Sequence, residues 1–248
     1  MRGGKPLERV NRTWSPELAY AIGLITTDGN LSPDGRHIIL VSKDEKQLQN
    51  FMLCLGIKVK IGFKKDGFSK KLYKVVQFSD VVFFNFLKGL GLSPNKSKTI
   101  GSVEIPRKYF FDFLRGAFDG DGTFYSYFDS RWKNSFMFYM NFISASIKHI
   151  QWLRNCLLNY LEVKGHINNV HGVYALKYAK REALKLIQSM YYKEDVICLS
   201  RKRLKILEAL KIENFKNARV VELGRHSVLR GLRVSSGNSV FLLIFFIF

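Results

Sequence analysis

Two stretches of this chain repeat one pattern: Ala21-Ile22-Gly23-Leu24-Ile25-Thr26-Thr27-Asp28-Gly29 and Leu114-Arg115-Gly116-Ala117-Phe118-Asp119-Gly120-Asp121-Gly122. Each reads as the last turns of a helix. Small residues four apart, Gly23 with Thr27 and Gly116 with Gly120, fall on one helical face. There they let two backbones approach closely, as small-xxx-small stripes do. The repeat predicts a seam of two helices at the centre of the molecule. Whatever surrounds one helix should then recur around the other.

The closing Asp-Gly of each stretch carries the chemistry. A helix C-terminus bears partial negative charge, so an aspartate there is electrostatically unfavourable, and Gly29 and Gly122 read as left-handed stop residues after it. If the stripes pack together, Asp28 and Asp121 meet at one end of the helix pair. Two carboxylates and two negative helix ends in a small volume cost stability unless a cation joins them, and oxygen-only ligands suit Mg²⁺. A broken local rule of this kind is where function is expected.

The order of elements repeats as the seam requires. After a basic arm at residues 1–14, Ser15-Pro16-Glu17 is a helix start, and the helix runs to Asp28. Strands are expected around 30–32 and 36–41, joined at Pro33-Asp34-Gly35. Next come a helix over 45–55 stopped by Gly56, strands over 57–64 and 72–78, and a helix over 80–90. In the first of those strands Ile57, Val59, Ile61 and Phe63 alternate with Lys58, Lys60, Gly62 and Lys64, one buried face against one cationic face. After Pro106 come a helix over 108–120, strands over 124–132 and 133–142, a helix over 147–161, strands over 164–168 and 173–178, and a helix over 181–191. The connector Ser93–Thr99 has its counterpart at Leu199–Leu204. The domain boundaries are then 1–14 arm, 15–104 first half, 105–212 second half, and 213–248 an appendage without counterpart. Within it Val240–Phe248 is wholly apolar but too short to span a bilayer. The fold class is α+β, two pseudo-symmetric helix-hairpin-helix-hairpin-helix halves with antiparallel saddle-shaped sheets and the motif helices packed between them.

The two motifs, spaced 93 residues apart from Asp28 to Asp121, resemble the double signature of single-chain LAGLIDADG homing endonucleases. The second copy matches well. The first matches at Gly23, Leu24, Ile25, Asp28 and Gly29 but has Thr26 where the family often has an Asp. The resemblance implies a Mg²⁺-dependent enzyme, with Mn²⁺ as a substitute, that hydrolyses one phosphodiester on each strand of a long asymmetric DNA target. It implies metal at Asp28 and Asp121, with Gly29 and Gly122 beside them. A basic residue following the last helix of each half would polarise water or stabilise charge at the phosphate. Lys96 and Lys202 fit that role, with Lys98 an alternative to Lys96. Asp119 has no acidic twin and fits a supporting, interfacial or solvated place. The alternative function is a catalytically silent nucleic-acid-binding protein of the same fold, an intron maturase with intron RNA as partner or a regulator.

Charge agrees with either reading. Forty Lys and Arg stand against 20 Asp and Glu, a net +20, which points to a polyanionic partner. Residues that would read or hold duplex DNA lie on outward strand faces: Arg36, Lys58, Lys60, Lys64, Lys74 and Gln77 in the first half, and Tyr125, Tyr127, Arg131, Lys133, Tyr139, Asn141, His166, Asn168 and Lys177 in the second. Cys54, Cys156 and Cys198 show neither zinc nor disulfide spacing, and the five histidines show no zinc pattern. A monomer without membrane association is expected, in the cytoplasm or in an organelle if the host gene is organellar.

Overall fold

The computed structural model describes residues 8–65, 71–132 and 135–231, with side chains described as far as residue 215. Residues 1–7 of the arm, residues 66–70, Lys133 and the apolar 240–248 stretch lie outside the described residues. The chain is a mixed α and β protein whose first half holds α1 (Pro16–Thr27), β1 (Gly29–Leu31), β2 (His37–Ser42), α2 (Glu45–Leu55), β3 (Gly62–Lys65), β4 (Leu72–Ser79) and α3 (Val81–Gly89). The second repeats it as α4 (Phe110–Asp121), β5 (Thr123–Asp129), β6 (Ser135–Ser144), α5 (Ile147–Leu161), β7 (His166–Val170), β8 (Val173–Ala179) and α6 (Lys180–Met190). The sheets have the same antiparallel order, β1-β2-β4-β3 and β5-β6-β8-β7. A last helix, α7 (Ser200–Gly231), runs through residue 213 without a break. The chain divides into two compact units between Leu207 and Glu208, and the second begins within α7.

Local chemistry sets the helix ends. Ser15 Oγ accepts from the Leu18 amide at 3.1 Å with Pro16 in the first turn, and Asp44 Oδ1 accepts from Lys46 at 3.0 Å. Gly56 ends α2 in the left-handed region, φ 64°. Asp80 caps α3 through Phe83, 2.8 Å, while its other oxygen accepts from the amides of Arg9 and Val10 at 2.6 and 2.9 Å. The end of the N-terminal arm is therefore pinned, with Val10 buried.

The seam forms as the small stripes predict. A Cβ on Gly23 would lie 2.7 Å from the Ala117 nitrogen, one on Gly116 2.9 Å from the Tyr20 carbonyl carbon, and one on Gly120 2.8 Å from Thr27 Cβ. No side chain fits there, so α1 and α4 meet backbone to backbone. Gly29 and Gly122 correct one expectation, because neither is left-handed: both begin extended chain directly after the helix. They are glycines because the sharp exit would press a Cβ to within 2.5 Å of Ile25 Cα or 2.6 Å of Phe118 Cα.

Two strand readings also change. Residues 57–61 are not in a strand, and β3 begins only at Gly62, with Phe63 64% exposed rather than buried. Lys74 pairs with Ser42 and Phe63 on the face of the sheet that carries buried Leu40 and Val76, not on the outward face. There it forms an ion pair with Glu45 of α2, 2.5 Å. Period-two alternation sorts residues into two faces, but only pairing register decides which face is which.

The connectors cross between halves. The one after α3 packs on α5: Ser146 Oγ donates to the Ile100 carbonyl, and His149 Nδ1 lies 2.8 Å from the Gly101 carbonyl oxygen. The one after α6 packs on α2: Asn50 Nδ2 donates to the Cys198 carbonyl at 3.0 Å, and Arg201 Nε to Asp44 Oδ2 at 2.9 Å. Buried Arg115 of α4 ties the same connector down, donating to the carbonyls of Met190 and Ile197 at 2.7 and 2.9 Å while paired to Asp112 at 2.7 Å.

Candidate active site and nucleic-acid interface

Because α1 and α4 end side by side, their last acids come together. Burial and the neighbouring Asp121 charge raise the Asp28 carboxyl to about 6, against the favourable hydrogen bond from Gln47 and the charges of Lys202 and Lys96. Asp121 reaches solvent, yet the protein packed around it lifts its pKa as well, opposed by Lys202 and Lys96. Asp28 Oδ2 accepts from Gln47 Nε2 at 2.6 Å, and Ser42 Oγ in turn donates to Gln47 Oε1 at 2.7 Å. Sequence reasoning missed Gln47. Its only signal was a polar residue in the first turn of α2, where a buried polar group needs a partner.

Lys96, not Lys98, enters the site. Its side chain is 4% exposed, whereas Lys98 is exposed. Lys96 Nζ donates to the Gly29 carbonyl. Lys202 Nζ donates to the carbonyls of Phe118, Gly120 and Gly122 at 2.5, 3.0 and 2.6 Å. Burial pushes both amines down to about 8, and the surrounding aspartates oppose it. An ammonium has three donors. Lys202 spends all three on the end of α4, while Lys96 spends one.

Asp119 is a cross-seam anchor. It is fully buried, and its Oδ2 accepts from the Tyr20 hydroxyl and the Leu199 amide, both at 2.7 Å. Burial raises it to about 6 despite those bonds. At the equivalent place in the first half, Thr26 turns its hydroxyl back to the Ile22 carbonyl, 2.8 Å.

The donor set suits a hard cation. Asp28 and Asp121 supply anionic oxygens, and among the described residues no group of three or more His, Cys, Asp or Glu side chains is placed to hold a metal. Two carboxylates leave room for waters and phosphate oxygens, which is how Mg²⁺ is commonly held. The Gly29 and Gly122 carbonyls already accept from Lys96 and Lys202. An open groove of about 710 Å³ borders Asp28, lined also by Val41, Lys43, Gln47, Tyr73 and Arg201.

The second sheet collects its expected readers on one face. Register places Tyr125, Tyr127, Tyr139, Asn141, His166, Asn168 and Lys177 on the side opposite buried Phe138, Met140, Leu176 and Tyr178. The rings of Tyr125, Tyr127 and Tyr139 lie near-parallel at 5.3–6.5 Å, and Lys177 Nζ sits 4.0 Å from the Tyr139 centroid. Arg131 lies in the following turn, doubly bonded to Asp129 at 3.0 and 2.8 Å. Of the first-half candidates, Lys64 and Gln77 lie on the outward strand face. Arg36, Lys58 and Lys60 are exposed outside the strands, and Lys74 faces the helices.

No protein-family model and no curated protein matches the chain. Solved structures do. The homing endonuclease I-WcaI bound to its DNA recognition sequence aligns with TM-score 0.56 at 12% identity, over 78% of this chain and 88% of that one. The I-LtrWI LAGLIDADG homing endonuclease bound to target DNA gives 0.52 at 13% identity, over 82% and 91%. Full-length DUF199/WhiA from Thermatoga maritima gives 0.54 at 16% identity, over 90% and 71%. The fold is the LAGLIDADG fold, and it is shared with structures solved on DNA.

Proposed function

We propose that this chain is a site-specific, divalent-metal-dependent endonuclease that cuts both strands of duplex DNA. One observation carries the reading: two acids whose charge the fold disfavours, Asp28 and Asp121, share the end of a seam built for close approach. A fold that keeps two such carboxylates together gains from a cation between them. Mg²⁺ bound there supplies charge neutralisation at the scissile phosphate and a more acidic water. Asp28 and Asp121 hold it, Gln47 fixes the Asp28 carboxylate, and Lys96, which spends one donor among the described residues, stabilises charge at the phosphate. Mn²⁺ substitutes by the same oxygen chemistry. The outward sheet faces hold the duplex, and the excess of lysine and arginine makes binding salt-dependent. Both motifs lie in one chain, so a monomer contains the whole site. It acts in the cytoplasm, or in an organelle that encodes it, and has no membrane partner; no described helix is long and apolar enough to cross a bilayer.

A second reading, binding without cleavage by an intron maturase or regulator, draws on Lys202. Its three bonds to carbonyls make it a helix clamp, with no donor left over for a phosphate. Selection of cut duplexes from a mixed DNA library with Mg²⁺ separates the two. Ca²⁺ and the Asp28→Asn and Asp121→Asn variants serve as controls. One long motif, cut with Mg²⁺ and left whole but still bound by either variant, is the expected result. Tight specific binding without cutting in Mg²⁺ or Mn²⁺ establishes the second reading instead.

A further inference from the structure

The water-facing side of a one-sided antiparallel sheet is normally polar. The first sheet departs from this along its two central strands. Val41 pairs with Val75 and Ile39 with Gln77, which sets three β-branched aliphatic side chains side by side on the outward face. All three are partly exposed, whereas the inward-facing Ile38, Leu40 and Val76 are fully buried. They are not spare core. Val41 and Tyr73 line the same groove as Asp28, so the strip is continuous with the acidic site. Its rim is cationic: Lys43 Nζ sits 5.4 Å from the Tyr73 centroid, Lys64 pairs with Tyr73 across the strands, and Lys58 and Lys60 are exposed just before β3.

An apolar strip framed by lysines fits a polyanion that also shows apolar groups. In the major groove of DNA the apolar group on a base edge is the C5-methyl of thymine. We infer that Ile39, Val41 and Val75 read thymine methyls, so that the half-site under the first sheet is selected for thymine. The second sheet differs in its central pairs: Asn141 and Lys177 stand beside the stacked Tyr125 and Tyr139, although Met137, Ile143, Val170 and Val173 share that face. This inference rests on the DNA-binding reading above and adds the base class and the residues that recognise it.

The test replaces thymine by uracil, one half-site at a time, in the selected target, and measures binding in Ca²⁺ to the native chain and to an Ile39→Ser/Val41→Ser/Val75→Ser variant. Serine removes every side-chain methyl that would meet thymine, and thermal unfolding checks that the variant stays folded. One half is expected to bind about fourfold more weakly for each methyl lost, and the variant should erase that penalty in the same half only. Specific binding with no uracil penalty, or with a penalty that persists in the variant, overturns the inference and leaves the DNA-binding reading standing. Absence of any specific binding overturns that reading, and the inference with it.

Discussion

The seam and the sheets obey the pseudo-twofold to very different degrees. Along the seam Gly23 and Thr27 meet Gly116 and Gly120 almost as mirror roles, and each helix ends in an Asp-Gly. Away from it the halves part. β5 and β6 span Thr123–Asp129 and Ser135–Ser144, against only Gly29–Leu31 and His37–Ser42 for β1 and β2. One outward face sets Ile39, Val41 and Val75 together on its central strands, and the other stacks Tyr125, Tyr127 and Tyr139. Between the two lies the site, where equivalence holds in position but fails in partners. Ser42, Asp44 and Gln47 stand where the second half has Ser144, Ser146 and His149. Gln47 bonds to Asp28, while His149 turns to the Gly101 carbonyl. Backbone contact tolerates no variation, so it stays symmetric; surfaces that meet an asymmetric ligand are free to diverge.

The largest effect should come from breaking the symmetric part. Gly116→Ala drives a methyl into the Tyr20 carbonyl and is expected to cost more than about 4 kcal/mol, enough to abolish folding. Gly89→Ala, in α3 with open space around it, should be neutral or slightly stabilising. Urea unfolding of the pair measures both, and equal effects would mean that the seam is not tightly packed.

Next comes the lysine pair. Lys202→Met strips donors from three buried carbonyls and should cost about 3 kcal/mol, whereas Lys96→Met loses one bond and should cost about 1 kcal/mol. Cleavage should show the opposite order relative to stability, with Lys96→Met harming the reaction in a chain that remains folded. Matched losses of stability would erase the distinction between clamp and reagent.

The acids give a smaller effect with a defined sign. Asp28 has a folded-state pKa of about 6, above the unfolded carboxylate value of about 3.9. The folded state therefore holds this proton more tightly. Its contribution to stability is fully present below about pH 4 and is lost as pH rises through about 6. Without metal, Asp28→Asn should stabilise the protein by about 2 kcal/mol at pH 7.5 and by little at pH 4. Asp121→Asn, at the more exposed acid, should gain less. Thermal unfolding in chelator checks both, and a loss of stability in either variant at pH 7.5 would show that the pair is not electrostatically frustrated.

The features legible in the sequence are those that local spacing encodes. The Gly-xxx-Gly and Gly-xxx-Thr stripes marked the seam, Ser15 and Asp44 marked helix starts, and Gly56 marked a stop, because each acts within a few residues. The hidden features depend on contacts between distant parts. Lys74 alternates like an outward residue, and only its pairing with Ser42 and Phe63 reveals the inward face. Phe63 does lie on the face that carries Leu40 and Val76, yet on the edge strand β3 it is exposed, because alternation gives the face and not the cover. Gln47 reaches back to Asp28 across two strands, and no periodicity carries that. Asp119 illustrates the same limit, since only the tertiary fold brings Tyr20 and Leu199 to one carboxyl oxygen.

The crossed connectors have a consequence for how the chain is made. Asp44 and Asn50 of α2 wait for Arg201 and Cys198, and Tyr20 waits for Asp119. During synthesis at about 5–20 residues per second, the first half emerges with its glycine stripe bare and these partners not yet translated. Contacts so distant in sequence are slow to form because loop closure precedes their reward. The refolding rate of the whole chain should therefore be limited by docking of the halves. A first half released alone would expose a smooth helical stripe open to the same stripe on another copy, so premature termination would favour pairing between truncated chains.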